Sequence, residues 1–225
     1  MEQKPTGYYD GVNAGLLDSI PLEARVVLEI GCGSGNLGAA YKERNPNATY
    51  YGVEVIEAAA ARAAERLDKV FWASAEDVDL SELKGTVDCV VYGDVLEHLL
   101  DPWTALKNHA SLLAEGGRIF ACIPNVQHWT LLQHVLQGNW VYHDHGILDS
   151  THLRFFTLKS IYTMFAGAGL RIDNVIGLQV NQPVAALFVD KMKPALDNLG
   201  IDATAFLQQT SALQYLVSAT RPGSP

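Results

Sequence analysis

The run VVLEIGCGSGNLG, residues 26–38, constrains the fold of this chain more than any other stretch. A short β-branched segment carries Glu29 at its end and stops at Gly31, and further glycines follow at 33 and 35. Glycines at alternate positions allow a tight turn and let a ligand approach the backbone closely. Leu37 to Arg44 then reads as a helix, whose first N–H groups have no intrahelical acceptor. A strand, a glycine turn and a helix in this order open a βαβ unit, with a ligand site beyond the carboxyl end of the strand.

The rest of the chain repeats the alternation. ATYYGVEV, KVFWAS, VDCVVYGD and RIFACIP read as strands, with EAAAARAAERL and DPWTALKNHASLLAEGG as helices between them. Asp101 and Pro102 suit the start of the latter helix, and Gly116-Gly117 suit its end. LKSIYTMFAGAGL is a further helix, and LRIDNVIGL and LQYLVSATRP are closing strands. Strands alternating with helices imply an α/β, doubly wound, mostly parallel sheet covered on both faces. At 225 residues the chain suits one domain, 1–225.

Two nucleotide classes compete for the turn. A dinucleotide loop has a third glycine where this chain has Asn36. Glu29, directly before the turn, would repel a pyrophosphate, yet it suits a ligand with a cationic amino-acid end. Glu54, ending the second strand, can accept hydrogen bonds from both hydroxyls of a ribose. S-adenosylmethionine combines those features; a turn required only for packing is the rival. A formal net charge of −9 argues against a nucleic-acid partner, whose phosphates call for a basic face. No apolar run is long enough for a bilayer, and the first residues are not those of a signal peptide. Three scattered cysteines, Cys32, Cys89 and Cys122, suit a reduced, cytoplasmic setting.

EIGCGSG resembles the first motif of the class I S-adenosylmethionine-dependent methyltransferases. The resemblance runs on through YGVEV, ASAEDVDL, VVYGDVLEHLLDPWTALKNHASLLAEGGRIFACIPN and QYLVSAT, and so covers nearly the whole chain. It implies a Rossmann-like, seven-stranded sheet with an antiparallel last strand. It also implies that Glu29, Gly31, Cys32, Gly33 and Gly35 hold the methionine moiety, and that Glu54 takes the ribose. Val55, Ala75, Glu76 and Asp77 would then surround the adenine, and Gly93, Asp94 and Val95 would line the reacting end. The product is S-adenosylhomocysteine.

Residues 124–157 are long for a strand-to-helix connection and hold five of the seven histidines, which suggests a lid over the site. GNWVYHDHGILDSTHLRFFT is similar to a group of these enzymes found beside or fused to glycosyltransferases, with Ser150 where arginine is more usual. That group implies a sugar or secondary metabolite as acceptor, with Tyr8 and Tyr9 close to the site. An alcohol must lose a proton on methylation, and His145, Asp149 and His152 are the candidate bases. Trp140, His143 and Arg154 are candidate acceptor contacts, with Arg154 as anchor for an anionic group. For each of these residues the rival is a structural role within the lid.

The spacing of His143, His145 and His152 fits no standard zinc pattern. Asp94-Glu97-His98 resembles a metal-binding arrangement of some methyltransferases, although DVLEH is common in metal-free members, so no metal is expected. A second insertion, residues 181–211, reads as helical and could line the pocket or form a homodimer contact. The reading is an O-methyltransferase of small molecules without nucleic-acid or membrane partners. Amino or carboxylate acceptors are the nearest alternative, followed by a nicotinamide-dependent oxidoreductase or epimerase and a non-catalytic cofactor-binding subunit.

Overall fold

A computed structural model describes residues 11–222. Tyr8 and Tyr9 lie outside the described residues. The sheet has seven strands: β1 (Val26–Ile30), β2 (Thr49–Glu54), β3 (Lys69–Trp72), β4 (Val87–Gly93), β5 (Leu113–Pro124), β6 (Arg171–Leu178) and β7 (Gln214–Thr220), in the order β3-β2-β1-β4-β5-β7-β6. Strands β1 to β5 pair in parallel, and β7 runs antiparallel between β5 and β6. The strand order reverses between β1 and β4, so the crevice beyond their carboxyl ends is where such a sheet binds ligands.

Alternation along the central strands builds a core on each face, because successive strand side chains point to opposite sides. Leu28, Ile30, Val90 and Tyr92 pack on one side against α4 (Pro102–Ala110) and α6 (Leu158–Gly167), through Leu106, Ile161 and Phe165. Val27, Cys89, Val91 and Phe120 pack on the other against α1 (Ala14–Ser19), α2 (Asn36–Arg44) and α3 (Glu57–Ala64), through Leu16, Leu17, Tyr41 and Ala63.

One boundary differs from the sequence expectation. Helix α4 begins as expected, with Asp101 accepting from the Thr104 N–H, but it ends at Ala110 rather than at the glycine pair. Leu113 already pairs with Val87, so Gly116 and Gly117 lie inside β5, where the register with β4 shifts. A Cβ on Gly117 would stand 2.9 Å from the Val87 carbonyl oxygen, so sheet pairing, not helix termination, requires this glycine.

The connection after β5 holds α5 (Trp129–Leu136) and then a long loop to α6. The insertion after β6 forms α7 (Gln182–Asn198) and α8 (Ala203–Ser211), which pack on each other. Among the described residues no helix is long and apolar enough to cross a membrane.

Candidate active site

The glycine turn is held from below by β2. The N–H groups of Gly31 and Cys32 both donate to the Val53 carbonyl, at 2.8 and 3.0 Å. Gly31, Gly33 and Gly35 have φ of +70, +54 and +77°, a region that side chains disfavour. A Cβ on Gly31 would also lie 2.5 Å from Val95 Cγ2, so the turn is pressed against the loop after β4.

Two buried carboxylates flank the turn. Glu54 is 5 % exposed; its Oε2 accepts from the Gly33 N–H at 2.9 Å and its Oε1 from the Ile56 N–H at 2.8 Å. Each oxygen keeps acceptor capacity for a ligand hydroxyl. Glu29, 4 % exposed, accepts from the Tyr50 hydroxyl at 3.1 Å. Burial pushes its carboxyl up to about 8, against the lowering effect of that hydrogen bond and with a smaller push from Glu54.

Ala75 and Glu76 follow β3 and line the same cavity, whereas Asp77 does not. The Glu76 carboxylate accepts from the backbone N–H groups of Leu100 (3.2 Å) and Asp101 (2.6 Å), stapling the loops after β3 and β4 together. At the end of β4, Asp94 has φ +55°, strained for a residue other than glycine. Its Oδ1 accepts from Gln214 Nε2 on β7 at 2.6 Å, and burial pushes it up to about 6.

A 3-10 turn, Leu96–His98, then presents Glu97 and His98. Glu97 is 1 % exposed, and neither carboxylate oxygen has a hydrogen-bond partner among the described residues. Burial, then the charges of Asp94 and Asp149, push its carboxyl well up. The Glu97 carbonyl accepts from the N–H groups of Leu153 and Arg154, which sews the lid to this turn.

That clamp sets the lid histidines. His152 lies in contact with His98, ring centroids 4.7 Å apart, and its Nε2 stands 4.0 Å from Glu97 Oε1. The Nδ1 of His152 faces the Ile147 carbonyl at 2.9 Å, and the Nδ1 of His98 faces the Thr151 carbonyl at 3.1 Å. Asp149 accepts from the N–H (2.9 Å) and hydroxyl (2.7 Å) of Thr151, which shapes the turn carrying His152. His145 lies on an exposed stretch and lines the cavity with Asp149 and His152.

The cavity measures about 850 Å³ and joins the glycine turn, Glu29, Glu54, Val55, Ala75, the Gly93–Val95 segment and the lid. Gly35 is not part of its wall; it caps α2 behind the turn. Trp140, His143 and Arg154 also stand outside the wall. Trp140 packs edge-on against Phe155, with centroids 5.5 Å apart, and His143 forms a backbone bridge with Asp149. Arg154 donates to the Leu100 and Leu153 carbonyls and lies 5.9 Å over the Trp103 ring. The expected anchor for an anionic acceptor is therefore spent on lid scaffolding, because its guanidinium is drawn to carbonyls and to a ring on the outer side. Among the described residues no lysine or arginine lines the cavity. The wall also holds Glu97 and His98, which the sequence weighed only as a metal arrangement, and Gln214, which it did not single out. The DVLEH motif signalled the first two, and nothing local signalled the third.

Comparison with known proteins agrees with this architecture. A family model described as a methyltransferase domain matches residues 9–175. A ubiquinone biosynthesis O-methyltransferase of Parvibaculum lavamentivorans is 30% identical over 171 residues, covering 72% of this chain and 64% of that protein. The like-named protein of Pseudomonas aeruginosa (strain UCBPP-PA14) is 28% identical over 169 residues, covering 71% of this chain and 70% of its own. A SAM-dependent methyltransferase structure from Archaeoglobus fulgidus superposes with a TM-score of 0.63 at 17% identity, covering 92% of this chain and 91% of that one. This chain belongs to the methyltransferase-domain family and has the class I S-adenosylmethionine-dependent fold.

Proposed function

We propose that this protein transfers a methyl group from S-adenosylmethionine to a hydroxyl oxygen of a small, non-anionic molecule such as a sugar or a secondary metabolite. One observation carries the reading. A single cavity joins the glycine turn and its two acids to the lid histidines, so a cofactor at one end meets an acceptor at the other. The O-methyltransferase relatives support oxygen as the target atom.

The residues present fit the cofactor. Glu29 is a buried acid whose wall neighbours among the described residues include no lysine or arginine, and a ligand ammonium would supply the missing charge. Glu54 keeps lone pairs for the ribose, and the turn admits close approach to its backbone. When bound, the cofactor supplies a methyl group that already carries its leaving group, so the protein chiefly aligns the partners. His145, on the exposed part of the lid, takes the hydroxyl proton and passes it to solvent. Asp149 positions the turn through its Oδ1, which accepts from the N–H and hydroxyl of Thr151. Among the described residues the wall has six carboxyl side chains (Glu29, Glu54, Glu76, Asp94, Glu97, Asp149) and no lysine or arginine, which disfavours carboxylate and phosphate acceptors.

Calorimetric titration with S-adenosylmethionine, S-adenosylhomocysteine and NAD tests the cofactor. Binding of the first two without the third is expected, and binding of NAD alone overturns the reading. Methyl-transfer assays on neutral sugars, phenols, amines and carboxylates should then show turnover among the hydroxyl acceptors. Turnover confined to carboxylates or amines would reject the proposed target.

A further inference from the structure

We propose that Gln214 is a positioning residue for methyl transfer. It holds the Asp94 carboxylate at the reacting end of the cavity, where that charge separates the sulfonium cofactor from its neutral thioether product. The inference rests on the cofactor reading and on the place which that reading gives Asp94.

Topology brings the pair together. Strands β1 and β4 end at the cavity, whereas β7 runs antiparallel to β5 and begins there. The first residue of β7, Gln214, therefore stands at the same edge, opposite Pro124 at the end of β5. Asp94 directly follows β4, 120 residues earlier in the chain. Gln214 Nε2 donates to Asp94 Oδ1 at 2.6 Å, and both residues line the cavity.

Two further observations distinguish this contact from an incidental one. First, the amide is oriented by a chain of side chains behind it. Cys122 Sγ donates to Gln214 Oε1 at 3.6 Å, and Asn13 Nδ2 donates to Cys122 Sγ at 3.6 Å. Asn13 is itself fixed, because its Oδ1 accepts from the Leu16 N–H at 3.0 Å and caps α1. With a thiol donor on Oε1, the NH2 side of the amide is the one that faces Asp94. Second, Asp94 has φ +55°, and among the described residues only Gln179 shares a positive φ without being glycine. Such a conformation persists where the surroundings over-determine it, and the Gln214 tether is one such determinant.

The chemistry gives the tether its use. In methyl transfer the S–CH3 bond breaks with its electron pair staying on sulfur, the O–CH3 bond forms, and the hydroxyl proton passes to the base. The cofactor thereby loses one positive charge. A carboxylate in a buried wall attracts a cation more than a neutral group of similar shape. Hydrogen bonds to a carboxylate favour its charged form, so the Gln214 amide maintains both the place and the charge of Asp94. The charge then favours uptake of the methylated cofactor and release of the spent one.

The test is calorimetric titration of the full chain at pH 8 with S-adenosylmethionine and with S-adenosylhomocysteine. The readout is the ratio of the two affinities, because a purely structural lesion weakens both ligands together. Gln214→Met keeps the length of the side chain and removes the donor; it should shift the ratio about 5-fold towards S-adenosylhomocysteine. Asp94→Asn removes the charge with a residue that tolerates positive φ, and should shift the ratio at least as far. The double variant should go no further than Asp94→Asn alone, since Gln214 acts through Asp94. Thermal melts identify unfolded material. If Gln214→Met fails to fold, Gln214→Asn, whose shorter side chain withdraws the amide from Asp94, replaces it with the same expected shift. A ratio left unchanged by the Gln214 variant overturns the proposal, and so do additive shifts in the double variant. A folded parent that binds neither ligand rejects the cofactor reading itself, and this inference with it.

Discussion

The two ends of the cavity are built by opposite means. The cofactor end is backbone-shaped: residues 32–35 are buried, the turn hangs on one carbonyl of β2, and Glu54 clamps it within twenty-one residues of chain. The acceptor end is assembled from side chains far apart in sequence, and residues 133–146 of its lid are exposed throughout. A rigid end suits a cofactor common to the whole family, while a lid held mainly at its base can differ in shape without disturbing the sheet. Affinity for the cofactor should therefore respond to one end, and turnover to the other.

The largest expected effects divide along that line. His145→Ala should lower kcat by about 100-fold or more while leaving cofactor affinity unchanged. Glu54→Ala should weaken cofactor binding by about 100-fold, since it removes the ribose acceptor and frees the Gly33 and Ile56 N–H groups. Steady-state kinetics beside calorimetry separates the two. Loss of cofactor affinity in His145→Ala would erase the distinction.

A smaller effect compares two glycines of similar backbone. Gly31 and Gly146 both have positive φ, +70 and +86°, but a Cβ at 31 meets Val95 at 2.5 Å whereas none of the described residues comes within 4 Å of one at 146. Gly31→Ala should cost about 3 kcal/mol and lower Tm by about 6–12 °C. Gly146→Ala should cost about 1 kcal/mol and lower Tm by about 2–4 °C. Equal losses would mean that the lid loop is as tightly packed as the turn.

The finest distinction is electrostatic. Glu29 is raised from 4.5 to about 8 in the folded protein. Its contribution to stability is therefore full below the unfolded value and is lost as pH rises through about 8. Glu29→Gln removes that loss. Without cofactor, the variant should melt a few degrees higher than the parent at pH 8 and about equal to it near pH 4.5. It should also bind the cofactor more weakly, because the neutral amide cannot pair with an ammonium. A parent whose Tm is flat across this range would place Glu29 in an ionised state instead.

Much of this was legible before any coordinates. The strand and helix alternation, the glycine turn and the two acids at strand ends are local patterns, and a parallel sheet brings strand ends together by topology alone. The end of α4 was misread because a double glycine has the same composition at a helix terminus and at a shifted strand register, and only the pairing of Leu113 with Val87 separates them. Arg154 was misassigned for a similar reason: a guanidinium can serve an anion or a carbonyl, and the position of Leu100 and Trp103 chose the carbonyl.

What the amino-acid order determined by itself was thus the fold class, the cofactor and the residues of the turn, all properties of contiguous segments. Long-range packing decided which lid residues face the cavity. His152 reaches Glu97 and His98 because the Glu97 carbonyl holds the N–H groups of Leu153 and Arg154, across more than fifty intervening residues. Periodicity and motif spacing carry no record of a contact of that kind, since its energy comes from one docked backbone and not from a repeating pattern.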